Sequence, residues 1–263
     1  MNNRKALLID TNLCVGCQAC VEACKEENNQ PDVETFDLSS TSYTAVIDKG
    51  DVYLRRMCMH CEVPTCVSVC PVGALQKTEL GPVIYDAEKC IGCRYCMQAC
   101  PYGVPTYEWN TTNPKIQKCT MCYSRQKVGK IPACAEACPA EATIFGDRDE
   151  LLAVARKRMI DEPETYVDHI FGEHEAGGTS VLFISSVPFK ELGFPMNLPG
   201  EPLPDLTWNV ISKIPRFSVF FGSFLYGVWW VIDRRMEIAD KENDVGNKEN
   251  KIVWNQTQRK DQV

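Results

Sequence analysis

The cysteines constrain this sequence most, because all sixteen of them fall into four groups of four. In order, the groups are Cys14, Cys17, Cys20 and Cys24; Cys58, Cys61, Cys66 and Cys70; Cys90, Cys93, Cys96 and Cys100; and Cys119, Cys122, Cys134 and Cys138. Proline follows the last cysteine of groups two, three and four, whereas Lys25 stands at that place in group one. Three interpretations of so many clustered thiols are disulfides, zinc sites and iron–sulfur clusters.

The spacing within groups one and three favours iron–sulfur clusters. A C-x2-C-x2-C run wraps tightly enough for three thiolates to meet one cubane, and a fourth cysteine one helical turn further on ligates the neighbouring cluster. Zinc sites prefer two separated C-x2-C pairs, and disulfide frameworks are typical of small secreted chains. Groups two and four have looser spacings that are ambiguous alone. Together the four groups predict four [4Fe–4S] clusters.

An internal repeat supports this interpretation. The segments "LLIDTNLCVGCQACVEAC" and "PVIYDAEKCIGCRYCMQAC" share a short strand, an acidic turn and a cysteine run. Gly16 and Gly92 lie at matching places between the first two cysteines, where a positive φ turns backbone amides toward cluster sulfurs. Groups two and four have His60 and Met121 there. We expect differently tuned clusters in those groups, with His60 as a hydrogen-bond donor near a cluster rather than a ligand.

Charge and motif content argue against several other functions. The chain of 263 residues has a net charge of −7 and no basic face of the kind that a nucleic-acid partner needs. It has no glycine-rich phosphate loop after a strand and no nucleophile paired with a base, so electron transfer is expected rather than substrate chemistry. Arg125, Lys127 and Lys130 lie in the long gap of group four. They either form a solvated loop or compensate cluster charge.

Short secondary-structure elements are predicted around the cysteine groups. Residues 43–47 and 52–56 predict a β-hairpin, and residues 142–145 predict a strand. Asp147 and Glu150 have the spacing of a capping box at the start of a helix. The predicted apolar face of that helix comprises Leu151, Leu152, Val154 and Ala155.

A C-terminal apolar stretch predicts a membrane span. The cluster domain is predicted at residues 1–165, followed by a membrane-proximal connector at 166–210, a transmembrane helix at 211–233 and a charged flexible tail at 234–263. A buried helix of a soluble domain is the alternative for the apolar stretch. Basic residues are more numerous after the span than before it, which predicts a cytoplasmic tail and a cluster domain on the periplasmic side.

The cysteine plan resembles that of the iron–sulfur electron-transfer (beta) subunits of the dimethyl sulfoxide reductase superfamily. The matching phrases are "CMHCEVPTCVSVCPVGAL", "CIGCRYCMQACPYGVP" and "KCTMCYSRQKVGKIPACAEACPAEATIFGD". The phrase "GEHEAGGTSVLFIS" narrows the resemblance to beta subunits of membrane-bound formate dehydrogenase and similar subunits of membrane hydrogenase. The resemblance implies an α+β fold with two bacterial-ferredoxin-like domains, each holding two [4Fe–4S] clusters, followed by one C-terminal transmembrane helix.

The resemblance also implies how the cysteines are shared, pairing group one with group four and group two with group three. Four ligand sets follow. The first set is Cys14, Cys17, Cys20 and Cys138; the second is Cys24, Cys119, Cys122 and Cys134; the third is Cys58, Cys61, Cys66 and Cys100; the fourth is Cys70, Cys90, Cys93 and Cys96. Some relatives replace the second cysteine of group three, but Cys93 is present here, so a full cluster is expected there.

The function implied by the resemblance is an electron relay in anaerobic respiration. The relay would join a catalytic subunit, of the molybdopterin or hydrogenase type, to an integral membrane subunit of the quinone-reactive or cytochrome b type. A formate dehydrogenase-like catalytic partner is the first interpretation. The alternatives are the iron–sulfur subunit of a nickel–iron hydrogenase and a soluble polyferredoxin. The sequence begins without a secretory or twin-arginine signal, and similar subunits are exported folded with a signal-bearing catalytic partner.

Overall fold

The computed structural model describes residues 4–112 and 114–260, and for residues 242–260 it describes the backbone alone. The chain divides into two units, Met1–Leu206 and Thr207–Val263. The strands are β1 (Lys5–Asp10), β2 (Ala45–Asp48), β3 (Tyr53–Arg56), β4 (Leu75–Lys77), β5 (Val83–Tyr85), β6 (Thr106–Tyr107), β7 (Ile116–Gln117), β8 (Thr143–Asp147) and β9 (Val181–Ile184). The helices are α1 (Ala19–Glu27), α2 (Thr65–Ser68), α3 (Tyr95–Ala99), α4 (Tyr123–Lys127), α5 (Ala133–Glu136), α6 (Arg148–Asp161), α7 (Phe189–Leu192), α8 (Leu203–Ile211) and α9 (Ile214–Lys260).

A three-stranded sheet packs against the core that contains several of the cysteines. Its middle strand, β1, pairs antiparallel with β8 and parallel with β9. Because side chains alternate along a strand, its two faces pack differently. Ala6 and Leu8 are buried among the apolar residues of α6. Leu7 and Ile9 are buried in the core that also contains Cys58, Cys119 and Cys134.

Three small antiparallel hairpins surround this core. β2 pairs with β3, β4 with β5, and β6 with β7. Leu75, Val83 and Ile116 from the last two hairpins pack with Cys96 in a third apolar cluster. The short strands and short helices therefore hold the cysteine loops between small layers of packed side chains, rather than beside one large sheet.

Several predicted elements are confirmed. The hairpin at 43–56 is β2–β3, with Ala45 opposite Arg56, and the strand at 142–145 is β8. The predicted helix is α6, which buries Leu151, Leu152 and Ala155 but leaves Val154, predicted on the same face, exposed. The capping box is wrong, since the Asp147 side chain makes no hydrogen bond to the helix and instead accepts one from Lys5 Nζ at 2.8 Å.

The prediction of a transmembrane helix at residues 211–233 is wrong. Within the residues that the structure describes, every helix falls short of the combined length and apolarity that a bilayer requires. Most of the predicted span belongs to α9, which is 47 residues long and continues into charged sequence. The uncharged run at 217–232 rises about 24 Å as a helix, against about 30 Å for a bilayer core. Serines, glycines, tyrosine and tryptophans within the run also lower its hydropathy.

The predicted orientation placed the cluster domain in the periplasm and the tail in the cytoplasm. It depended on that span, so it is no longer supported. Residues 234–260, predicted as a flexible tail, continue α9 in the structure. The last residues of the predicted tail, 261–263, lie outside the described residues. What the structure retains of the fold prediction is a mixed α and β architecture of small sheets.

Candidate metal centres

Each cysteine group begins with the same backbone turn. The residue before the second cysteine has a positive φ in all four groups, with values of 69° at Gly16, 48° at His60, 70° at Gly92 and 53° at Met121. The sequence predicted this conformation only for the two glycines. Because non-glycine residues adopt it in groups two and four, the turn is a property of the cysteine loops and not of glycine alone.

The turns direct backbone amides at cysteine sulfurs. The amide of Gly92 donates to Cys90 Sγ at 3.4 Å, and that of Met121 donates to Cys119 Sγ at 3.2 Å. Outside these turns, the amide of Ala74, which follows the last cysteine of group two, donates to Cys70 Sγ at 3.2 Å. Hydrogen bonds to ligand sulfurs stabilise extra negative charge and are one means by which proteins raise cluster potentials.

We expect Gly16→Ala to destabilise the protein more than Gly129→Ala. Both glycines have a positive φ, 69° and 75°, so both variants share a backbone penalty of about 1–2 kcal/mol. A Cβ at Gly16 would lie 2.5 Å from a ring carbon of Tyr53, whereas nothing lies within 4 Å at Gly129. Overpacking adds about 1–3 kcal/mol. Anaerobic thermal unfolding measures the difference, and equal losses in the two variants would contradict this packing.

The first and fourth ligand sets each line a small cavity. Cys14, Cys17, Cys20 and Cys138 line one cavity, and Cys70, Cys90, Cys93 and Cys96 line another. Burial raises the pKa of the Cys14 thiol, and the nearby Cys138 and Cys17 add to that rise. Burial likewise raises the pKa of Cys96 to about 11, with contributions from Cys90 and Cys93.

The second and third sets are buried more deeply, and their members also come together. Burial raises the pKa of Cys24 to about 12, and Cys134 and Cys122 lie close enough to raise it further. The pKa of Cys61 is raised by burial and then by its neighbours, which are Cys58, Cys100 and Cys66. The structure thus brings together residues from groups one and four, and from groups two and three.

Neighbouring sets approach one another at three points. Cys20 of the first set is near Cys134 of the second. Cys119 of the second set is near Cys58 of the third. Cys66 of the third set is near Cys96 of the fourth. These proximities join the sets in the order first, second, third and fourth, which we call a row. The two exposed cysteines, Cys17 and Cys93, belong to the sets at its two ends.

A buried arginine lies between the first two sets. Arg55 on β3 is only 3% exposed, and it donates to Thr44 Oγ1 at 3.0 Å and Thr143 Oγ1 at 3.3 Å. Burial alone lowers its pKa, but the sulfurs of Cys134 and Cys20 outweigh that effect and raise the pKa overall. Within the described residues no carboxylate pairs with this guanidinium, so its anionic neighbours are cysteines.

A buried lysine provides a positive charge near the third set. The Nζ of Lys118, a residue only 3% exposed, donates to the carbonyls of Val83 at 2.5 Å and Cys119 at 2.9 Å. Its charge acts on Cys66, where it opposes the effect of burial on the thiol pKa. Buried charges need compensation, and a cluster with four thiolate ligands carries the opposite sign.

Of the cations that the sequence singled out, Arg125 acts on a cysteine of the second set, whereas Lys127 and Lys130 belong to an exposed loop. Arg125 forms ion pairs with Glu27, at 3.1 Å, and with Glu136. Lys127 stacks over the Tyr123 ring and, like Lys130, is exposed. Charge compensation beside the cysteines comes from Arg55 and Lys118, which sequence reasoning missed, and also from Arg125, whose charge opposes the effect of burial on the pKa of the Cys122 thiol. The one available signal was that Lys118 directly precedes a cysteine of group four.

The cysteine sets fit [4Fe–4S] clusters on three counts: four convergent sulfurs, amides that donate to sulfur, and buried cations that have no carboxylate partner among the described residues. Neither these sets nor any other group of described His, Cys, Asp or Glu side chains is arranged to hold a single metal ion. In a cubane, each cysteine of a four-cysteine set binds a different iron. When bound, such a cluster supplies one-electron redox chemistry.

Comparison with known proteins identifies the cluster type. A family model described as a 4Fe–4S dicluster domain matches residues 51–148, and a second model of the same description matches residues 13–75. These domains, with sixteen cysteines, account for four [4Fe–4S] clusters.

Curated relatives match most of the chain. The hydrogenase-2 operon protein HybA of Escherichia coli O157:H7 is 37% identical over 83% of this chain and 79% of its own length. The nitrate-inducible formate dehydrogenase iron–sulfur subunit of Escherichia coli K12 is 35% identical over 91% of this chain and 89% of its own. A subunit of the anaerobic dimethyl sulfoxide reductase of the same strain is 41% identical over 57% of this chain and 77% of its own.

Proposed function

The chain belongs to the family of iron–sulfur electron-transfer subunits with 4Fe–4S dicluster domains, and on this premise we propose how its cysteines and partners are arranged. Members of this family relay electrons, and this chain does so through four [4Fe–4S] clusters. The observation that carries the proposal is a row of cysteine sets with buried members in the middle and one exposed cysteine at each end.

The proposed ligand assignment crosses the sequence groups. The first cluster is held by Cys14, Cys17, Cys20 and Cys138, and the second by Cys24, Cys119, Cys122 and Cys134. The third is held by Cys58, Cys61, Cys66 and Cys100, and the fourth by Cys70, Cys90, Cys93 and Cys96. The mutual effects of these thiols on one another's pKa support each set.

Electrons enter and leave this row at its two ends. The second set has all four cysteines buried, so a partner cannot reach it directly, whereas Cys17 and Cys93 are exposed. Val15 beside the first set and Ile91 beside the fourth are also exposed, at 62% and 65%. Apolar exposure at both ends supports a protein partner at each.

The proposed partner at one end is a catalytic subunit of the formate dehydrogenase type. The similarity to a formate dehydrogenase iron–sulfur subunit over 91% of this chain supports it. At the other end, an integral membrane subunit of the quinone-reactive or cytochrome b type would exchange electrons with the membrane pool. This chain contributes no substrate chemistry of its own in that arrangement.

A hydrogenase catalytic subunit is the second candidate partner. It is favoured by the 37% identity to a protein named for the hydrogenase-2 operon, over 83% of this chain. The relay through the chain would be the same, and only the source of electrons would differ.

Purification of the tagged full chain under anaerobic conditions in mild detergent distinguishes the candidates. We expect a catalytic subunit that contains molybdenum or tungsten to co-purify. We also expect formate to reduce the clusters, as seen by low-temperature electron paramagnetic resonance. Nickel in the complex and reduction by hydrogen would instead identify the second candidate. If neither substrate reduces the clusters in a complex that contains a catalytic subunit, the proposed relay is contradicted. Direct reduction of the isolated chain by dithionite serves as the control for intact clusters.

A further inference from the structure

His60 has a fixed tautomer. Its ring is buried, with the residue only 1% exposed, and its Nδ1 accepts a hydrogen bond from the Val83 amide at 2.9 Å. An amide nitrogen can only donate, so Nδ1 carries no proton and the neutral ring must carry its proton on Nε2. The imidazole is therefore held by β5 with one N–H available for donation.

That N–H has no acceptor among the protein atoms that the structure describes. His60 Nε2 is buried and makes no hydrogen bond. An unsatisfied buried donor costs about 1–3 kcal/mol, so a group outside the polypeptide is expected to accept from it. His60 lies between Cys58 and Cys61 in sequence, and its positive φ makes it part of the turn that carries these two ligands of the third set.

Two ammonium groups surround the same turn. Lys77 Nζ donates to the His60 carbonyl at 3.1 Å, and Lys118 Nζ donates to the Val83 carbonyl at 2.5 Å. Lys77 is partly compensated by Glu62, at 3.6 Å, which also pairs with Arg4. Lys118 has no carboxylate partner within the described chain. The surroundings of His60 are thus electropositive, as a site beside an anionic group should be.

We propose that the Nε2–H of His60 donates a hydrogen bond to a sulfur of the cluster bound by the third set, and raises its reduction potential. This inference rests on the proposed ligand assignment and adds to it a residue that tunes one cluster. At the matching place, the other three groups have Gly16, Gly92 and Met121, whose side chains offer no N–H. The third cluster alone would therefore receive a side-chain hydrogen bond from its turn.

Selective isotope labelling tests the hydrogen bond itself. The chain has three histidines, His60, His169 and His174. In full-length protein grown with ¹⁵N-histidine and reduced anaerobically, we expect a weak ¹⁵N coupling to one cluster in pulsed electron paramagnetic resonance. The coupling should persist in His169→Gln and His174→Gln and disappear in His60→Gln, whose amide nitrogen is unlabelled. A labelled wild type without coupling would overturn the inference, with an ordered water as the acceptor instead.

Redox titration tests the consequence. His60→Met places in group two the residue that group four has in the same conformation, and removes the N–H. We expect one of four midpoint potentials to fall, with an about ten-fold change in the reduced-to-oxidised ratio, or about 59 mV for one electron. His60→Gln, which can still donate, should recover much of the shift. Unchanged potentials in His60→Met would reject the inference.

Cluster content separates a failure of this inference from a failure of the ligand assignment. Mössbauer spectra of both variants report whether four [4Fe–4S] clusters are still present. If all four are present and neither the coupling nor the shift is found, the inference on His60 fails and the electron relay stands. If the wild type itself lacks a cluster at the third set, the ligand assignment fails with it.

Discussion

Replacing Arg55 with methionine is expected to lower the reduction potential of the clusters held by the first and second sets and to destabilise the protein. Arg55 is buried beside Cys134 and Cys20, and its only other side-chain partners among the described residues are threonine hydroxyls. A buried cation stabilises the more negative, reduced state of a nearby cluster. Its removal also leaves buried thiolate charge uncompensated, which costs about 3–5 kcal/mol when one partner of a buried charge pair is lost.

Arg56→Met is the matched control for this experiment. Arg56 is the next residue in the same strand, but it is partly exposed and pairs with Asp37 at 2.8 Å. A surface pair of this kind contributes about 0–1 kcal/mol, so the control should change neither potential nor stability appreciably. Arg55→Lys keeps the positive charge, so the reduction potentials of the first two clusters should stay close to their wild-type values. Redox titration and thermal unfolding of the three variants measure both effects, and equal behaviour of Arg55→Met and Arg56→Met would contradict the assigned role.

When two cysteines are removed together, we expect the number of damaged clusters to be one if both belong to the same set and two if they belong to different sets. Cys24 lies in sequence group one but is assigned to the second set with Cys122, whereas Cys138 lies in group four but is assigned to the first set. Cys24→Ala should therefore damage one cluster, and Cys24→Ala with Cys122→Ala should damage no more than that one. Cys24→Ala with Cys138→Ala should damage two.

Mössbauer spectroscopy of ⁵⁷Fe-loaded protein counts the intact [4Fe–4S] clusters in these variants. We expect about three in each single variant and in the Cys24/Cys122 double variant, and about two in the Cys24/Cys138 double variant. If each sequence group instead held its own cluster, the Cys24/Cys122 pair would damage two. The count therefore distinguishes crossed from local ligation directly, and it needs no assumption about which partner the protein serves.

Much of the site could be predicted from the sequence because cysteine spacing is a short-range signal. A C-x2-C-x2-C run specifies its own turn, so the cluster type followed from groups one and three alone. The crossed sharing between groups depends on how loops far apart in the sequence meet, and it came from resemblance to a family. The β2–β3 hairpin and the buried face of α6 followed from local pattern as well.

The features that the sequence did not reveal depend on tertiary contacts. Arg55 is recognisable only once β3 brings it between two cysteine sets, and nothing in "YLRR" distinguishes it from Arg56. The fixed tautomer of His60 depends on the Val83 amide, 23 residues away. The capping-box prediction was wrong because the Asp147 carboxylate accepts a hydrogen bond from Lys5 on the neighbouring strand. The membrane span failed because an uncharged run of sixteen residues is too short a segment of a longer, charged helix.

An iron anomalous-difference map of the anaerobically crystallised protein tests the central claim most directly. We predict four iron cubanes in a single row, each contacting one of the four crossed sets of cysteines, with the end cubanes beside Cys17 and Cys93. Fewer than four cubanes, or any cubane ligated by the four cysteines of one sequence group, would contradict this arrangement.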